Sequence, residues 1–257
     1  MREEMVEIKG IKSNVKIGGK GKPLLILHGW GGSSCSWTAV QRILLKQGYL
    51  TICPDLPGFG KSEIPPKPWT VDDYVDWTLK LVDYFKFDEF YLVSHSFGGR
   101  IAIKFAAYYP KRLKKMVLCG PAGIKTKPDL KANAILATAE IGNVVFSSKV
   151  LRAFKNVARS FFYLFLRHRD YVKAKGPMRK TMKKVLKENL FSYLSKIGTR
   201  TLIVWGEEDK MVPVRMSAIF RNEIKNSTLE ILAGNGHSPH LGTPGKLSKI
   251  IIKFLKS

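Results

Sequence analysis

The chain has 257 residues, enough for one large α/β domain with a buried core. It carries 44 Lys and Arg residues against 20 Asp and Glu, a formal net charge of +24. The longest apolar run in its second half, residues 161–166, is too short to span a bilayer, which excludes a membrane-spanning helix there.

The amino-terminal residues 1–10 are charged and lack the apolar stretch of a signal peptide, so we expect a cytoplasmic protein. The three cysteines, Cys35, Cys53 and Cys119, are odd in number and do not have the spacing of metal ligands. We therefore expect reduced thiols and no metal site.

The first third of the chain predicts a sheet edge followed by central strands. Residues 6–8 and 15–17 alternate apolar and charged side chains, as a half-exposed hairpin does, and the stretch Gly18–Gly21 supplies a turn. The apolar run Leu24–Leu27 is typical of a central parallel strand. Ser36 is expected to cap a helix from Trp37 to about Lys46, and Tyr49–Cys53 predicts the next strand.

Strands and helices then alternate. Thr70 and Asp73 predict a capping box at the start of a helix that extends to about Phe85. Phe90–Val93 predicts a strand, an apolar helical face follows to Tyr108, and Leu113–Cys119 predicts another strand. This order implies parallel strands with helices on both faces of the sheet.

Residues 121–194 break the alternation. Helical patterns cover Ala132–Phe146, Lys149–Leu166 and about Met178–Leu194. The strand pattern resumes at Thr201–Trp205 and Thr228–Leu232, and Pro244 opens a final helix to Leu255.

The turn between Phe90–Val93 and the following helix reads Ser94-His95-Ser96-Phe97-Gly98-Gly99. Such a tight strand-to-helix turn holds its central serine in a strained, exposed position above the sheet. Ser96 is therefore the candidate nucleophile. The Phe97 backbone N–H is expected to point to the place where an oxyanion would form.

This turn resembles the nucleophile elbow of the α/β-hydrolase family, G-x-S-x-G, with Ser94 in place of the first glycine. The resemblance implies an α/β-hydrolase fold, a mostly parallel central sheet flanked by helices. It also implies a helical cap inserted between strands 6 and 7. We expect the core domain to comprise residues 1–120 and 195–257, and the cap to comprise residues 121–194.

Two further loops carry the resemblance. After the strand Leu24–Leu27, the family has an H-G motif, here His28-Gly29, which implies that the backbone N–H of Trp30 is the second oxyanion donor. We expect a structural role for His28. The stretch 55–62 matches the family loop D-x-P-G-x-G-x-S, in which we expect Asp55 to brace the turn rather than to act as an acid.

The family also keeps an acid in a G-x-x-D-x-x-x-P loop and a histidine after the last strand. By this resemblance Asp209 is the acid, in preference to its neighbours Glu207 and Glu208, and His237 is the base. The order Ser96, Asp209, His237 is the chain order of this fold. His240 matches a second histidine, for which we expect a structural role.

The resemblance predicts a serine hydrolase that cleaves carboxylic esters of short to medium acyl chains, with no cofactor. Lactone hydrolysis, carbon–carbon bond hydrolysis and cofactor-free perhydrolysis are alternatives, and a small-molecule receptor is the alternative that is not an enzyme. The indole of Trp30 and the cap residues Phe162 and Phe165 are the candidate pocket lining. No sequence feature predicts a particular oligomeric state.

Much of the positive charge lies in residues 123–196, with 17 basic and 4 acidic side chains. We interpret it as a solvated surface, since no nucleic-acid-binding module accompanies it, and we expect no nucleic-acid partner. Association with an anionic membrane is the alternative reading that we do not favour.

Overall fold

The computed structural model of the chain describes residues 1–124 and 176–257. In this part the strands are β1 (Arg2–Ile8), β2 (Ile11–Gly18), β3 (Lys22–Leu27), β4 (Tyr49–Pro54), β5 (Phe90–His95), β6 (Leu113–Cys119), β7 (Thr201–Gly206) and β8 (Ser227–Leu232). The helices are α1 (Thr38–Leu45), α2 (Val71–Tyr84), α3 (Phe97–Tyr108), α4 (Pro177–Lys187), α5 (Phe191–Leu194), α6 (Met216–Glu223), α7 (Pro239–Gly242) and α8 (Pro244–Lys256). Two 3-10 turns, Ser34–Trp37 and Pro110–Arg112, complete the described elements.

The strands form one eight-stranded sheet in the order β1-β2-β4-β3-β5-β6-β7-β8. The hairpin β1–β2 and the pair β2–β4 are antiparallel, and all other neighbours are parallel. The predicted α/β sheet, with an antiparallel hairpin at one edge, is confirmed. Because the parallel strands all end at the same edge, the loops after β3, β5, β7 and β8 meet there.

The centre of the sheet is apolar on both faces, since Leu24–Leu27 of β3 are fully buried. On one face, Leu24 and Ile26 belong to a cluster that includes residues of α1 and α8, such as Leu44 and Ile251. Helices α2 and α3 contact each other and contribute no residue to this cluster, and they cover the other face. The sheet is thus enclosed by helices, which is why its strands read as continuous apolar runs.

The start of α2 is held as predicted. Thr70 accepts a hydrogen bond from the Asp73 N–H, and the Asp73 carboxylate accepts one from the Thr70 N–H in return.

The predicted cap at Ser36 is wrong. Ser36 lies inside the 3-10 turn, where its hydroxyl donates to the Ser33 carbonyl at 2.7 Å, and α1 begins two residues later without a side-chain cap.

The predicted helix Met178–Leu194 is two helices, α4 and α5, separated at Glu188 by an extended backbone (ψ 134°). Residues 1–123 and 176–257 form one compact unit. Helices α4 and α5 therefore belong to the same compact unit as the sheet. The predicted helices Ala132–Phe146 and Lys149–Leu166 lie outside the described residues.

The three cysteines carry free thiols, with Cys53 and Cys119 buried and Cys35 exposed. Among the described helices none has both the length and the apolar character to cross a membrane.

Candidate active site

The turn between β5 and α3 holds Ser96 in an unusual backbone conformation. Its φ of 50° and ψ of −106° lie in a region that residues other than glycine rarely adopt, at a cost of about 1–3 kcal/mol. Three backbone hydrogen bonds hold the turn: the Ser96 N–H donates to the Cys119 carbonyl, and the Ser96 carbonyl accepts from Gly99 and Ala122. The sequence motif therefore does form a strained elbow.

Two small residues let α3 approach the sheet closely. A Cβ on Gly98 would lie 2.4 Å from the Leu27 carbonyl oxygen, so a larger residue cannot fit without a backbone shift. Ser94, which replaces the first glycine of the family motif, is fully buried, and its hydroxyl donates to the Val117 carbonyl at 3.3 Å. The departure from the motif is accommodated because the extra hydroxyl finds a partner on β6.

Asp209, after β7, and His237, after β8, form a direct pair. The Nδ1 of His237 lies 2.7 Å from Oδ2 of Asp209, whose side chain is fully buried. Oδ1 of Asp209 accepts hydrogen bonds from the N–H groups of Met211 and Val212, both at 2.8 Å. An ionised carboxylate is acceptor-only, so Nδ1 of the imidazole is the donor and Nε2 keeps a free lone pair.

The neighbouring carboxylates do not share this geometry. Glu207 and Glu208 are exposed, and the Glu207 carboxylate accepts from the Gly234 N–H instead. A Cβ on Gly120 would lie 3.4 Å from Oδ2 of Asp209 and 3.5 Å from Nδ1 of His237, so this glycine leaves room beside the pair.

The loop after β3 brings Trp30 beside the elbow. The Trp30 and Phe97 rings meet edge to face at 5.1 Å between centroids. The Gly98 N–H donates to the His28 carbonyl at 3.1 Å, which ties the elbow to this loop. Among the described residues, neither the Trp30 nor the Phe97 N–H has a protein acceptor, as the two donors of an oxyanion hole require.

The structural roles expected for His28 and Asp55 are confirmed. The buried His28 ring donates from Nδ1 to the Gly29 carbonyl and accepts at Nε2 from the Leu56 N–H at 2.9 Å. Burial lowers the pKa of His28, so the ring is neutral, as these two bonds require. His28 thus joins the Trp30 loop to the loop after β4.

Asp55 braces the loop after β4. Its carboxylate accepts from the Ser34 N–H at 2.6 Å, the Lys61 N–H at 2.9 Å and the Asn14 amide at 3.1 Å. Burial would raise the pKa of Asp55, but the hydrogen bonds from Lys61 and Ser34 outweigh it and hold the pKa below its usual value.

A row of aromatic rings, which sequence reasoning did not single out, extends from the proposed oxyanion site. Phe59 contacts Trp30 edge to face at 4.8 Å, Phe97 meets Tyr74 at 5.0 Å, and Tyr74 meets Trp69 at 4.9 Å. In this part of the sequence, aromatic residues alternate with Pro and Gly. That alternation was the feature from which the row could have been predicted. Met178 of α4 lies against Gly58, the residue before Phe59, since a Cβ on Gly58 would overlap the Met178 side chain.

His95 lies beside the His237 ring, and His240 lies beside His95. The His95 ring is 4.7 Å from that of His237 and 4.5 Å from that of His240. His240 is buried and stacks on Trp37 at 4.6 Å, as the structural role expected for it requires. Burial, with smaller contributions from His237 and His28, lowers the pKa of His240 to about 4.

The candidate pocket residues Phe162 and Phe165 lie outside the described residues. Within residues 1–124 and 176–257, no group of three or more His, Cys, Asp or Glu side chains is arranged to hold a metal ion.

Comparison with known proteins places this chain in a family. A family model described as alpha/beta hydrolase fold matches residues 22–244. The human monoacylglycerol lipase ABHD6 is 27% identical over 258 residues, which cover 91% of this chain and 75% of the lipase. The 2-hydroxymuconate semialdehyde hydrolase of Pseudomonas sp. (strain CF600) is 24% identical over 271 residues, which cover 96% of this chain and 91% of that enzyme.

Among solved structures, a thermophilic esterase from Thermogutta terrifontis superposes with a TM-score of 0.74 at 21% identity, covering all of this chain and 98% of the esterase. That likeness concerns the fold alone. The relatives named above are hydrolases, which supports hydrolysis as the general activity. Since the family model spans most of its length, the chain belongs to the alpha/beta hydrolase family.

Proposed function

We propose that the chain is a serine hydrolase that cleaves carboxylic esters of short to medium acyl chains through an acyl-enzyme on Ser96. The observation that carries the proposal is the 2.7 Å pair between Nδ1 of His237 and the buried Asp209 carboxylate, with the His237 ring 4.7 Å from that of His95, the residue before Ser96. A serine hydroxyl reacts as a nucleophile at neutral pH only when a base takes its proton, and this pair supplies an oriented base.

In the proposed acylation, Ser96 Oγ attacks the ester carbonyl while His237 Nε2 takes its proton. The Asp209 carboxylate holds the tautomer and stabilises the imidazolium that forms. The carbonyl oxygen becomes negative and accepts hydrogen bonds from the N–H groups of Trp30 and Phe97. The carbon–oxygen bond to the alcohol then breaks, and the alcohol leaves with the proton from His237.

Deacylation repeats these steps with water. His237 takes a proton from the water as its oxygen attacks the acyl carbon, and the acid leaves as Ser96 regains its proton. The row of rings beside Trp30 supports an apolar acyl group, because aromatic surfaces gain most from contact with apolar groups. The substrate is therefore proposed to be a small, uncharged ester.

Carbon–carbon bond hydrolysis is the second candidate, favoured by the similarity to the 2-hydroxymuconate semialdehyde hydrolase. It would use the same serine, base and oxyanion donors on a different carbonyl substrate.

A panel of p-nitrophenyl esters of increasing chain length, with lactones and a dienone substrate beside it, tests the proposal. We expect turnover of the esters, with a preference for short to medium chains. Ser96→Ala and His237→Ala should each lower kcat by several orders of magnitude with little change in thermal stability. Turnover of the dienone alone would favour the second candidate, and undiminished ester turnover by Ser96→Ala would refute both.

A further inference from the structure

His95 precedes the proposed nucleophile and takes no part in the chemistry described above. It is the last residue of β5, and its side chain is almost completely buried. Buried imidazoles are costly unless their polar atoms have partners, so the contacts of this ring indicate what it does.

One ring atom bonds the loop that carries the base. Nε2 of His95 lies 2.8 Å from the backbone carbonyl oxygen of His237, which can only accept a hydrogen bond. Nε2 of His95 is therefore the donor. The bond joins the residue next to the nucleophile directly to the backbone of the base, across 142 positions of sequence.

The Nδ1 and Cε1 atoms of the ring lie against the loop that carries the proposed oxyanion donor Trp30. A Cβ on Gly29 would lie 2.8 Å from Nδ1 of His95 and 3.3 Å from Cβ of Ser96. Gly29 thus permits close contact between this loop and the His95 ring. One imidazole touches the loops after β3 and β8 and belongs to the strand that leads into the elbow.

A third contact holds the ring in place. His240 lies against His95 at 4.5 Å and stacks in turn on Trp37. Burial, followed by the proximity of His240 and His237, holds the pKa of His95 well below its usual range. The ring is therefore neutral at physiological pH, in agreement with a single N–H at Nε2.

We propose that His95 is a positioning residue that sets the distance between the Ser96 hydroxyl, the His237 imidazole and the Trp30 N–H through its hydrogen bond to the His237 carbonyl. The proposal rests on the proposed function for what these three groups do. Their loops leave different strands, and a misplacement of about 1 Å in such a site can cost about 100-fold in rate.

Two substitutions separate the hydrogen bond from the space that the ring fills. His95→Met has a similar volume and no donor, whereas His95→Gln places an amide N–H near the position of Nε2. Val93→Ala is the matched stability control, because it removes buried methyl groups from the same strand at a position in the hydrophobic core.

The readout is the second-order rate at which a fluorophosphonate labels Ser96, which needs no knowledge of the natural substrate. We expect His95→Met to label about 10- to 100-fold more slowly than the wild type, and His95→Gln to recover most of that loss. Val93→Ala should melt at a lower temperature and label within about twofold of the wild-type rate. With an ester substrate, the loss in His95→Met should appear in kcat rather than in KM.

A wild-type labelling rate in His95→Met would overturn the proposal. So would equal losses in His95→Met and His95→Gln, since the donor would then be irrelevant. If the wild type is not labelled at all, the proposed function fails. The positioning role of His95 is then tested by the low-field proton NMR signal of the His237–Asp209 hydrogen bond. Its loss in His95→Met with retention in His95→Gln supports the role, and its retention in both refutes it.

Discussion

Different contacts hold each of the three side chains that carry the proposed chemistry. Ser96 is held by its backbone, through a φ of 50° that the turn imposes. Asp209 is held by two backbone N–H groups and by His237. The position of His237 depends on that carboxylate and on its own carbonyl, which His95 binds. The backbone of Ser96 and the side chains of Asp209 and His237 are therefore each held in place before the proposed reaction begins.

The assignment of the acid is tested by exchanging carboxylates for amides. Asp209→Asn should lower kcat/KM by about 10⁴-fold, because an amide favours the wrong imidazole tautomer, and should leave more activity than Ser96→Ala. Glu208→Gln is the matched control and should stay near the wild-type rate, since Glu208 is exposed. Steady-state kinetics on a p-nitrophenyl ester decide which carboxylate is the acid. If Asp209→Asn kept wild-type activity and Glu208→Gln lost it, the acid would be Glu208.

The buried histidines make stability depend on pH. His95 and His240 have pKa values lowered by burial, that of His240 to about 4, so the unfolded chain binds more protons than the folded one between about pH 4 and 6.5. Stability is therefore greatest above about pH 6.5 and falls with acidification, with His240 contributing about 3 kcal/mol over this range.

Urea unfolding at several pH values between 4.5 and 7.5 measures this dependence. We expect the free energy of unfolding to rise with pH, and His240→Phe, which keeps a ring against Trp37, to reduce the slope. A slope that His240→Phe leaves unchanged would show that the ring does not titrate as its burial implies.

At the scale of elements, a charged cluster joins α4 to α3. Lys104 of α3 is only 1% exposed in its side chain, and its Nζ lies 2.6 Å from carboxylate oxygens of Asp72 and Glu188. Burial alone would lower the pKa of Lys104, but the two carboxylates outweigh it and raise it. Arg100, one turn earlier, donates to the carbonyls of Val185 and Glu188. Helix α4 and the residues after it are thus attached to the helix that follows the elbow.

Removal of the buried ammonium should destabilise the protein, because Glu188 then loses its partner. We expect Lys104→Met to lower the free energy of unfolding by about 2–4 kcal/mol. The loss should lie at the lower end of this range, because Asp72 is half exposed to solvent. The double variant Lys104→Met/Glu188→Met should lose less than the sum of the two single variants. Lys80→Met, at an exposed position of α2, is the control in the same urea titrations. Additive losses would mean that the two charges do not interact.

The sequence predicted elements well where local signals decide them. Leu113–Cys119 is the strand β6 residue for residue, and the capping box of Thr70 forms as expected. The predicted helix cap at Ser36 was wrong because the chain forms a 3-10 turn there. In this turn the Ser36 hydroxyl bonds a carbonyl oxygen instead of a helix N–H.

Contacts between residues that are distant in sequence were harder to predict than the helices and strands. His95 stands in the quoted elbow motif, yet nothing near it in sequence indicates a bond to His237. Likewise, the sequence indicates only that Phe59 lies in a loop, whereas the structure shows that its ring contacts Trp30. Asp209 and His237 were predicted because the family resemblance, rather than local pattern, supplies their roles.

For the whole molecule, the parallel sheet explains why residues so far apart in sequence meet. The positive charge is the other global property, and it is seen on α4, where Lys180 and Lys183 are exposed. Like charges one turn apart on a helix repel one another, so this face is one that solvent or an anionic partner must stabilise. We interpret it as a solvated face.

Salt dependence distinguishes these alternatives. If the face is only solvated, KM for a neutral ester should change little between low and physiological salt, and co-sedimentation with anionic vesicles should be weak. Binding to phosphatidylserine vesicles that is strong at low salt and lost as salt is raised would instead favour an enzyme that acts at a membrane surface. Vesicles of neutral lipid are the control.

The covalent intermediate tests the central claim most directly. We propose to quench the enzyme during turnover of p-nitrophenyl acetate and to measure its intact mass, followed by mapping of the modified peptide. The account predicts that a fraction of the protein gains one acetyl group, that the group lies on Ser96, and that Ser96→Ala gains none. An acetyl group on another residue, or equal acetylation of Ser96→Ala, would contradict it.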